Sequence, residues 1–402
     1  MEPIMSSESR VIAVLEKAGV DRSTFTAKSE FYRGFDNLFT LGWGGSYIKG
    51  NFEIENEDLI KMLTQIYTAF GSYLQGDDYA GFKTLRFHNI YRLMNATQLI
   101  NWQFIRPRYF AKKHYELPHQ LFVQMLGPSR AYSSGYWKEG VETLDEAQNA
   151  KFDLSFRKLG LKPGDTVLDF GCGAGSWGQY AGKLGVKVVG LNICQEQLAY
   201  ARAHNNDQEV PAIYLDFNLV TQSVAELQSI LKPYGIENFD AVTFFGSSEH
   251  IGFKNYERVF RKMYQLLKPE GQMLCHTIGS YHQTEVLDPY IAANIFRDAQ
   301  FPTVSKITRA TELAGFRLMD YHDLEPGLHS YAKTLRCWLE KYIANWENIK
   351  PFLLHKDKEA SYREWVFYLM ICIGGYEAGN IVNVSHYLFR RTEDFRPFTP
   401  VR

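Results

Sequence analysis

The sequence predicts an α/β chain: a doubly wound parallel sheet with helices on both faces, joined to a small, mainly helical N-terminal domain. Three observations predict it. Short β-rich runs alternate with helical periods through the middle of the chain, the pattern of a sheet covered on both sides. One of these units, VLDFGCGAGSWGQYAGKLGVKVVGLN at residues 167–192, packs glycines between two runs of buried-strand character. Before residue 105, by contrast, the periodic stretches are helical.

Bulk properties bound the rest. A chain of 402 residues can build two domains with cores of their own, and 45% hydrophobic against 22% charged residues describes a globular protein. The 44 basic and 45 acidic side chains nearly cancel, so no nucleic-acid partner is expected and any anionic surface must be met by a local patch. Five cysteines, odd in number and without a C-x-x-C pair, argue against a metal site or a disulfide framework and for a reducing, cytoplasmic compartment. The N-terminus lacks the apolar core of a signal peptide, and the longest apolar run, WVFYLMICIGGY from Trp365, falls short of the roughly 20 residues that span a bilayer. The chain is therefore expected to be soluble, or at most to rest on a membrane.

Taken in order, residues 9–19 read as a helix, and the glycine-rich LGWGGSYIKGNFE (41–53) reads as a turn before helical stretches at about 57–73 and 84–104. The connector NWQFIRPRYFAKKHYE (101–116) carries Pro107, which blocks helix, so the domains are expected to divide into 1–110 and 111–402. Thr143 followed by Glu146 makes a capping box for the helix LDEAQNAKFDLSFRKLG. Strands follow at TVLDF, KVVGL, AIYLDF, DAVTFF and QMLCHTI, and the amphipathic NYERVFRKMYQLL precedes the last. In such a sheet the ligand sits beyond the carboxyl ends of the strands. Asp169, Asn192, Asp216, Glu249 and His276 fall at or just past those ends, so five polar residues distant in sequence should converge on one crevice.

The glycine turn itself can be read in two registers. Gly171, Gly173 and Gly175 give G-x-G-x-G, while Gly173, Gly175 and Gly178 give the dinucleotide fingerprint G-x-G-x-x-G. A dinucleotide site wants an acid at the end of the second strand, and Asn192 stands there. Asp169, two residues before the first glycine, would repel phosphate yet can accept from an ammonium group. That combination selects S-adenosylmethionine, whose aminoacyl end is zwitterionic and which has no phosphate.

The motifs HYELPHQLFVQMLGPSRAYSSGYW (114–137), TLDEAQNAK, LDFGCGAG, SSEHIGFKNYERVF, LKPEG, HTIGS and YAKTLRCWLEKY follow one another in collinear order. With LGWGGSYIKG they resemble the cyclopropane fatty acid synthases, a family that includes mycolic acid cyclopropane synthases and plant coclaurine-type N-methyltransferases. The resemblance runs from roughly residue 30 to 390 and implies a Rossmann-like class I methyltransferase sheet. It assigns Tyr132 and Ser133 to the methionine carboxylate, Asp169, Gly171 and Gly173 to the aminoacyl group, Asn192, Ile193 and Gln197 to the ribose, and Asp216, Phe217 and Phe245 to the adenine. It also implies a bicarbonate ion gripped by Glu249, His276, Tyr331 and the backbone at Ser134 and Ile278. No metal is implied.

Under that resemblance the reaction is methyl transfer to an alkene carbon of an unsaturated phospholipid acyl chain, followed by proton loss and ring closure. An amine or specialised-metabolite acceptor, or a methyl-branched product, is the alternative; a lipid-binding scaffold with a dead site is opposed by the intact glycine turn and Glu249. Departures from the usual pattern stand at Ser134 (usually Cys), Ala174 (usually Trp) and Ser248 (usually aromatic). The substrate class implies peripheral contact with the inner face of a membrane, for which Arg106, Arg108, Lys112 and Lys113 among Trp102, Phe104, Tyr109 and Phe110 offer a local patch, and an N-terminal domain that handles lipid. A homodimer is compatible with the family.

Overall fold

A computed structural model of the chain describes residues 5–70, 101–105, 119–205, 210–281, 288–296, 299–353, 357–379 and 382–391. The described chain forms two compact units, Met1–Ile100 with Ser280–Phe301 and Tyr331–Asn383, and Asn101–Gly279 with Pro302–Ser330 and Val384–Arg402. A single cut near residue 110 therefore does not describe the division: two later segments pack with the first hundred residues. The expected helix at 84–104 and the basic residues of the connector lie outside the described residues, save the short helix Trp102–Ile105.

The first unit is helical around a small antiparallel pair, β1 (Phe25–Ala27) and β2 (Phe52–Ile54). Its first helix, Ser7–Lys17, starts where the Ser6 side chain accepts from the Ser9 amide. Phe31, Phe35, Trp43 and Phe52 form its aromatic centre, with Phe31 stacked on Phe52 at 4.5 Å and Phe367 edge-on to Trp43. The stretch read as a glycine-rich turn is instead the helix Thr40–Ile48. Two of its three glycines serve contact: a Cβ on Gly42 would lie 2.0 Å from the Gly34 carbonyl, and one on Gly44 2.4 Å from the Tyr290 ring. Backbone packed against backbone offset the poor helix propensity of glycine. The apolar run from Trp365 lies in the helix Lys358–Glu377, and no helix among the described residues is long and apolar enough to cross a membrane.

The second unit carries the seven-stranded sheet, with strands β3 (Thr166–Phe170), β4 (Lys187–Asn192), β5 (Ile213–Asp216), β6 (Phe239–Phe245), β7 (Leu267–Ser280), β8 (Phe316–Asp323) and β9 (Val382–Arg391). Their order across the sheet is β5-β4-β3-β6-β7-β9-β8. The first five are parallel; β9 enters between β7 and β8 and runs antiparallel to β8. Alternate residues face opposite ways, so Leu168, Val242 and Phe244 join the core on one face while Val167, Ala241 and Leu274 join that on the other. The capping box at Thr143 and Glu146 opens the helix Leu144–Lys158 as the sequence suggested. A buried ion pair, Lys158 to Asp320 at 2.7 Å, ties that helix to β8.

Candidate active site

The register of the sheet pairs residues at the strand ends. Asn192 stands opposite Asp216, and Phe245 opposite His276. Asp169 lies on β3, 2% exposed, where its Oδ1 accepts from the Thr243 hydroxyl at 2.9 Å. Among the described residues no hydrogen bond is made to its Oδ2. Burial pushes the carboxyl up to about 7, against the opposing pulls of Thr243 and of Lys151. A half-satisfied buried acid at the lip of a glycine turn fits an ammonium ligand.

The turn after β3 needs its glycines for two reasons. Gly171, Gly173 and Gly175 all have positive φ, at 79°, 55° and 83°. A Cβ on Gly171 would also lie 2.5 Å from that of Ser247, whereas one on Gly173 would enter open space. Asn192 braces the turn from β4: its amide donates to the Gly173 carbonyl (3.2 Å) and to Gln197 Oε1 (2.9 Å), while its own oxygen accepts from the amides of Ile193 and Cys194. The side chain read as a ribose ligand is thus committed to holding the loop. Asp216 is engaged by Gln195 at 2.8 Å. Phe217 and Phe245 belong to clusters on opposite faces of the sheet, so the structure does not bring these two rings together; Phe245 packs with Phe152 and Trp177 and faces His276 at 5.9 Å.

Sequence reading missed Lys151 and Gln148. Both project from the helix Leu144–Lys158 and are fully buried. Lys151 donates to the Ser133 hydroxyl (2.8 Å) and to Gln148 Oε1 (2.5 Å), and Gln148 donates to the Ser133 carbonyl (2.9 Å). Burial holds the Lys151 ammonium well below its ordinary value, with Asp169 opposing. The pair fixes the Tyr132–Ser134 segment, where Tyr132 meets Phe122 edge-on at 5.4 Å and Ser134, 1% exposed, donates to the Gly135 carbonyl. The signal was their i, i+3 spacing inside TLDEAQNAK, which places an amide and a cation on one helix face.

Beyond β6 a short helical turn, Ser248–His250, carries Glu249. Glu249 is 2% exposed; its Oε1 accepts from the Ile278 amide at 2.7 Å, and burial raises its carboxyl above the ordinary range. The amide that the resemblance gives to an anion is thus already joined to Glu249. Ser248, in place of an aromatic, donates to Thr277 Oγ1 at 2.7 Å and makes a hydroxyl wall beside the acid. His276 is enclosed and bonded through Nδ1 to His386 Nε2 at 3.0 Å. Burial, aided by Lys151, keeps it well below the ordinary histidine value and therefore neutral. Tyr331 belongs to the first unit, where it heads a helix and packs on Trp338 and Tyr376. Among the described residues no group of three or more His, Cys, Asp or Glu is placed to hold a metal ion.

Comparison with known proteins places the chain among its relatives. Residues 105–387 match the family described as mycolic acid cyclopropane synthetase. The chain is 33% identical over 357 residues to the cyclopropane-fatty-acyl-phospholipid synthase of Escherichia coli (strain K12), covering 88% of this chain and 84% of that one. It is similar to the crystal structure of mycolic acid cyclopropane synthase CmaA1 complexed with SAH and CTAB, at a TM-score of 0.61 and 26% identity, over 70% of this chain and 98% of that one. Coclaurine N-methyltransferase bound to N-methylheliamine and SAH shares the fold, with a TM-score of 0.65 at 19% identity over 86% of this chain and 97% of that one. With an acid and a glycine turn fit for a zwitterionic cofactor, a seven-stranded sheet and collinear identity over most of its length, the chain belongs to the cyclopropane synthase family of S-adenosylmethionine-dependent methyltransferases.

Proposed function

We propose that the enzyme adds a methylene across a cis double bond of an unsaturated phospholipid acyl chain to form a cyclopropane, with bound bicarbonate as the base. The observation that carries this reading is a buried polar cluster, in which Glu249 accepts from the Ile278 amide and Ser248 bonds Thr277, with a neutral, buried His276 on the same strand as Thr277 and Ile278. Amine methylation needs a base only to free the nitrogen lone pair before attack, and it leaves no carbocation to be quenched. An alkene is a weak nucleophile and leaves a carbocation after methyl transfer.

The cofactor supplies an activated methyl on its sulfonium. Asp169 would take its ammonium group, and Ser133, held by Lys151, would face its carboxylate. In the proposed reaction the alkene π pair would attack the methyl carbon as the carbon–sulfur bond breaks and S-adenosylhomocysteine leaves; a bicarbonate held at Glu249 and His276 would supply the base that takes a proton from the transferred methyl, and the freed pair would close the ring. Glu249 would accept from the protonated base and keep it oriented, while Tyr331 is assigned by the family likeness alone. Docking on the inner face of a cytoplasmic membrane is part of the same proposal. Phe104 and Ile105, at the start of the connector, are 43% and 58% exposed, and the four basic residues beyond them lie outside the described residues.

The test is incubation with labelled S-adenosylmethionine and mixed lipid vesicles, then mass analysis of the acyl chains. A gain of one CH2 with loss of the double bond supports the proposal. Label on nitrogen, or a methyl-branched alkene, overturns it. Glu249→Gln should retain cofactor binding yet turn over far more slowly, and added bicarbonate should raise the rate of bicarbonate-depleted enzyme.

A further inference from the structure

The pairing of His276 with a second histidine fixes more than its position. His386, on β9, is as fully enclosed as His276, and the two rings meet nearly edge-on at 77° with 3.0 Å between His386 Nε2 and His276 Nδ1. One proton lies between these nitrogens, and it can belong to either ring. If His276 donates through Nδ1, neutral His386 must carry its own proton on Nδ1. That atom is buried and has no hydrogen-bond partner, so an N–H would be stranded there. If His386 donates through Nε2, its Nδ1 is a bare lone pair instead, which a protein interior tolerates better than an orphaned N–H.

The second arrangement leaves His276 with its proton on Nε2. Among the described residues no hydrogen bond is made by this nitrogen. We propose that His386 is a positioning residue that locks His276 as an Nε2–H donor, the tautomer needed to grip an anionic oxygen of the proposed bicarbonate. The inference rests on the reading of His276 as an anion ligand. Two features keep both rings neutral, as the argument requires. Burial lowers both below the ordinary value, and the cations of Lys151 and Lys158 and the ring of His322 oppose a further charge on His386. His322 stands directly across from His386 on β8, and Lys158 is held there by Asp320.

The test has two arms on the full chain. First, 15N shifts of histidine-labelled protein, assigned by loss of signals in His276→Asn and His386→Gln, should show a protonated Nε2 on both rings of the parent. A proton on Nδ1 of His276 overturns the proposal, and this arm needs no substrate. Second, His386→Gln and His386→Glu are close in shape, but the amide can donate to His276 and an ionised carboxylate can only accept. His386→Gln should keep kcat within a few-fold, while His386→Glu should lose about ten- to hundredfold in kcat, as changes to a ring-orienting partner do, with unchanged KM for the cofactor. Equal kcat in the two folded variants overturns the proposal. Absence of any CH2 gain in the parent with a doubly Nε2-protonated pair would instead defeat the function proposed above and leave the tautomer assignment standing.

Discussion

The carboxyl of Asp169 should make cofactor binding depend on pH in a range where most aspartates are silent. Its ordinary value is 3.8, and burial raises it to about 7 in the ligand-free protein. An α-amino group titrates at about 7.7–8.0, so at pH 7 and below the cofactor carries an ammonium, which binds the ionised acid and not the protonated one. About half of the acid is ionised at pH 7 and about one-tenth at pH 6, so affinity should fall about fivefold, or ~1 kcal/mol, between them. The same shift has a sign for folding. Between 3.8 and about 7 the native state binds more protons than the unfolded chain, so stability without cofactor falls as pH rises through that window, by about 4 kcal/mol at most. Asp169→Asn should therefore be more stable than the parent at pH 8 without cofactor, because Asn carries no buried charge and can still accept from Thr243. It should also fail to bind. Calorimetric titrations at pH 6, 7 and 8, with thermal unfolding of both proteins, measure both effects. A dissociation constant that stays flat from pH 6 to 7 would refute the assignment of Asp169 to the ammonium.

Further outcomes follow from the same geometry. Lys151→Met removes a cation that opposes ionisation of His276 and favours that of Asp169, so the midpoint of the pH–affinity curve should move up from about 7; calorimetry across pH reads it. Gly171→Ala should cost about 1–3 kcal/mol in urea unfolding from backbone strain, plus the clash with Ser247, whereas Gly173→Ala should cost less stability and lose cofactor affinity because its methyl enters open space. Asp320→Ala breaks the buried ion pair with Lys158 and should cost about 3–5 kcal/mol, with much of it recovered in the Lys158→Met, Asp320→Leu double variant.

The sequence made the sheet legible where strands are bounded by turn chemistry and buried on both faces, as in TVLDF and KVVGL. β8 and β9 escaped it, since FRLMDYHD and VNVSHYLFRR carry polar and charged residues that hide the period of a strand. His386 was invisible for the same reason: its partner lies 110 residues away and only pairing across the sheet joins them. Helix Thr40–Ile48 was read as a turn because glycine in sequence does not reveal whether it serves a positive φ or a close approach. At the site, acids and glycines were legible by type and spacing. The use of Asn192 as a brace was not, because an amide at a strand end can bind a ligand or its own loop with the same atoms.

The helical unit has a consequence for how the chain is made. Its centre is closed by pieces far apart in sequence: a Cβ on Gly374 would lie 2.7 Å from that of Leu63, and Arg336 bridges Glu57 and Glu377. A nascent chain that has emerged as far as residue 100 therefore presents Trp43, Phe31 and Phe35 without the surface that covers them. Translation at roughly 5–20 residues per second leaves that gap open for about a quarter of a minute to a minute before the last segment leaves the ribosome. Yield in cells should depend on chaperone capacity more than the stability of the finished enzyme would suggest, and slower elongation over residues 100–380 should lower it.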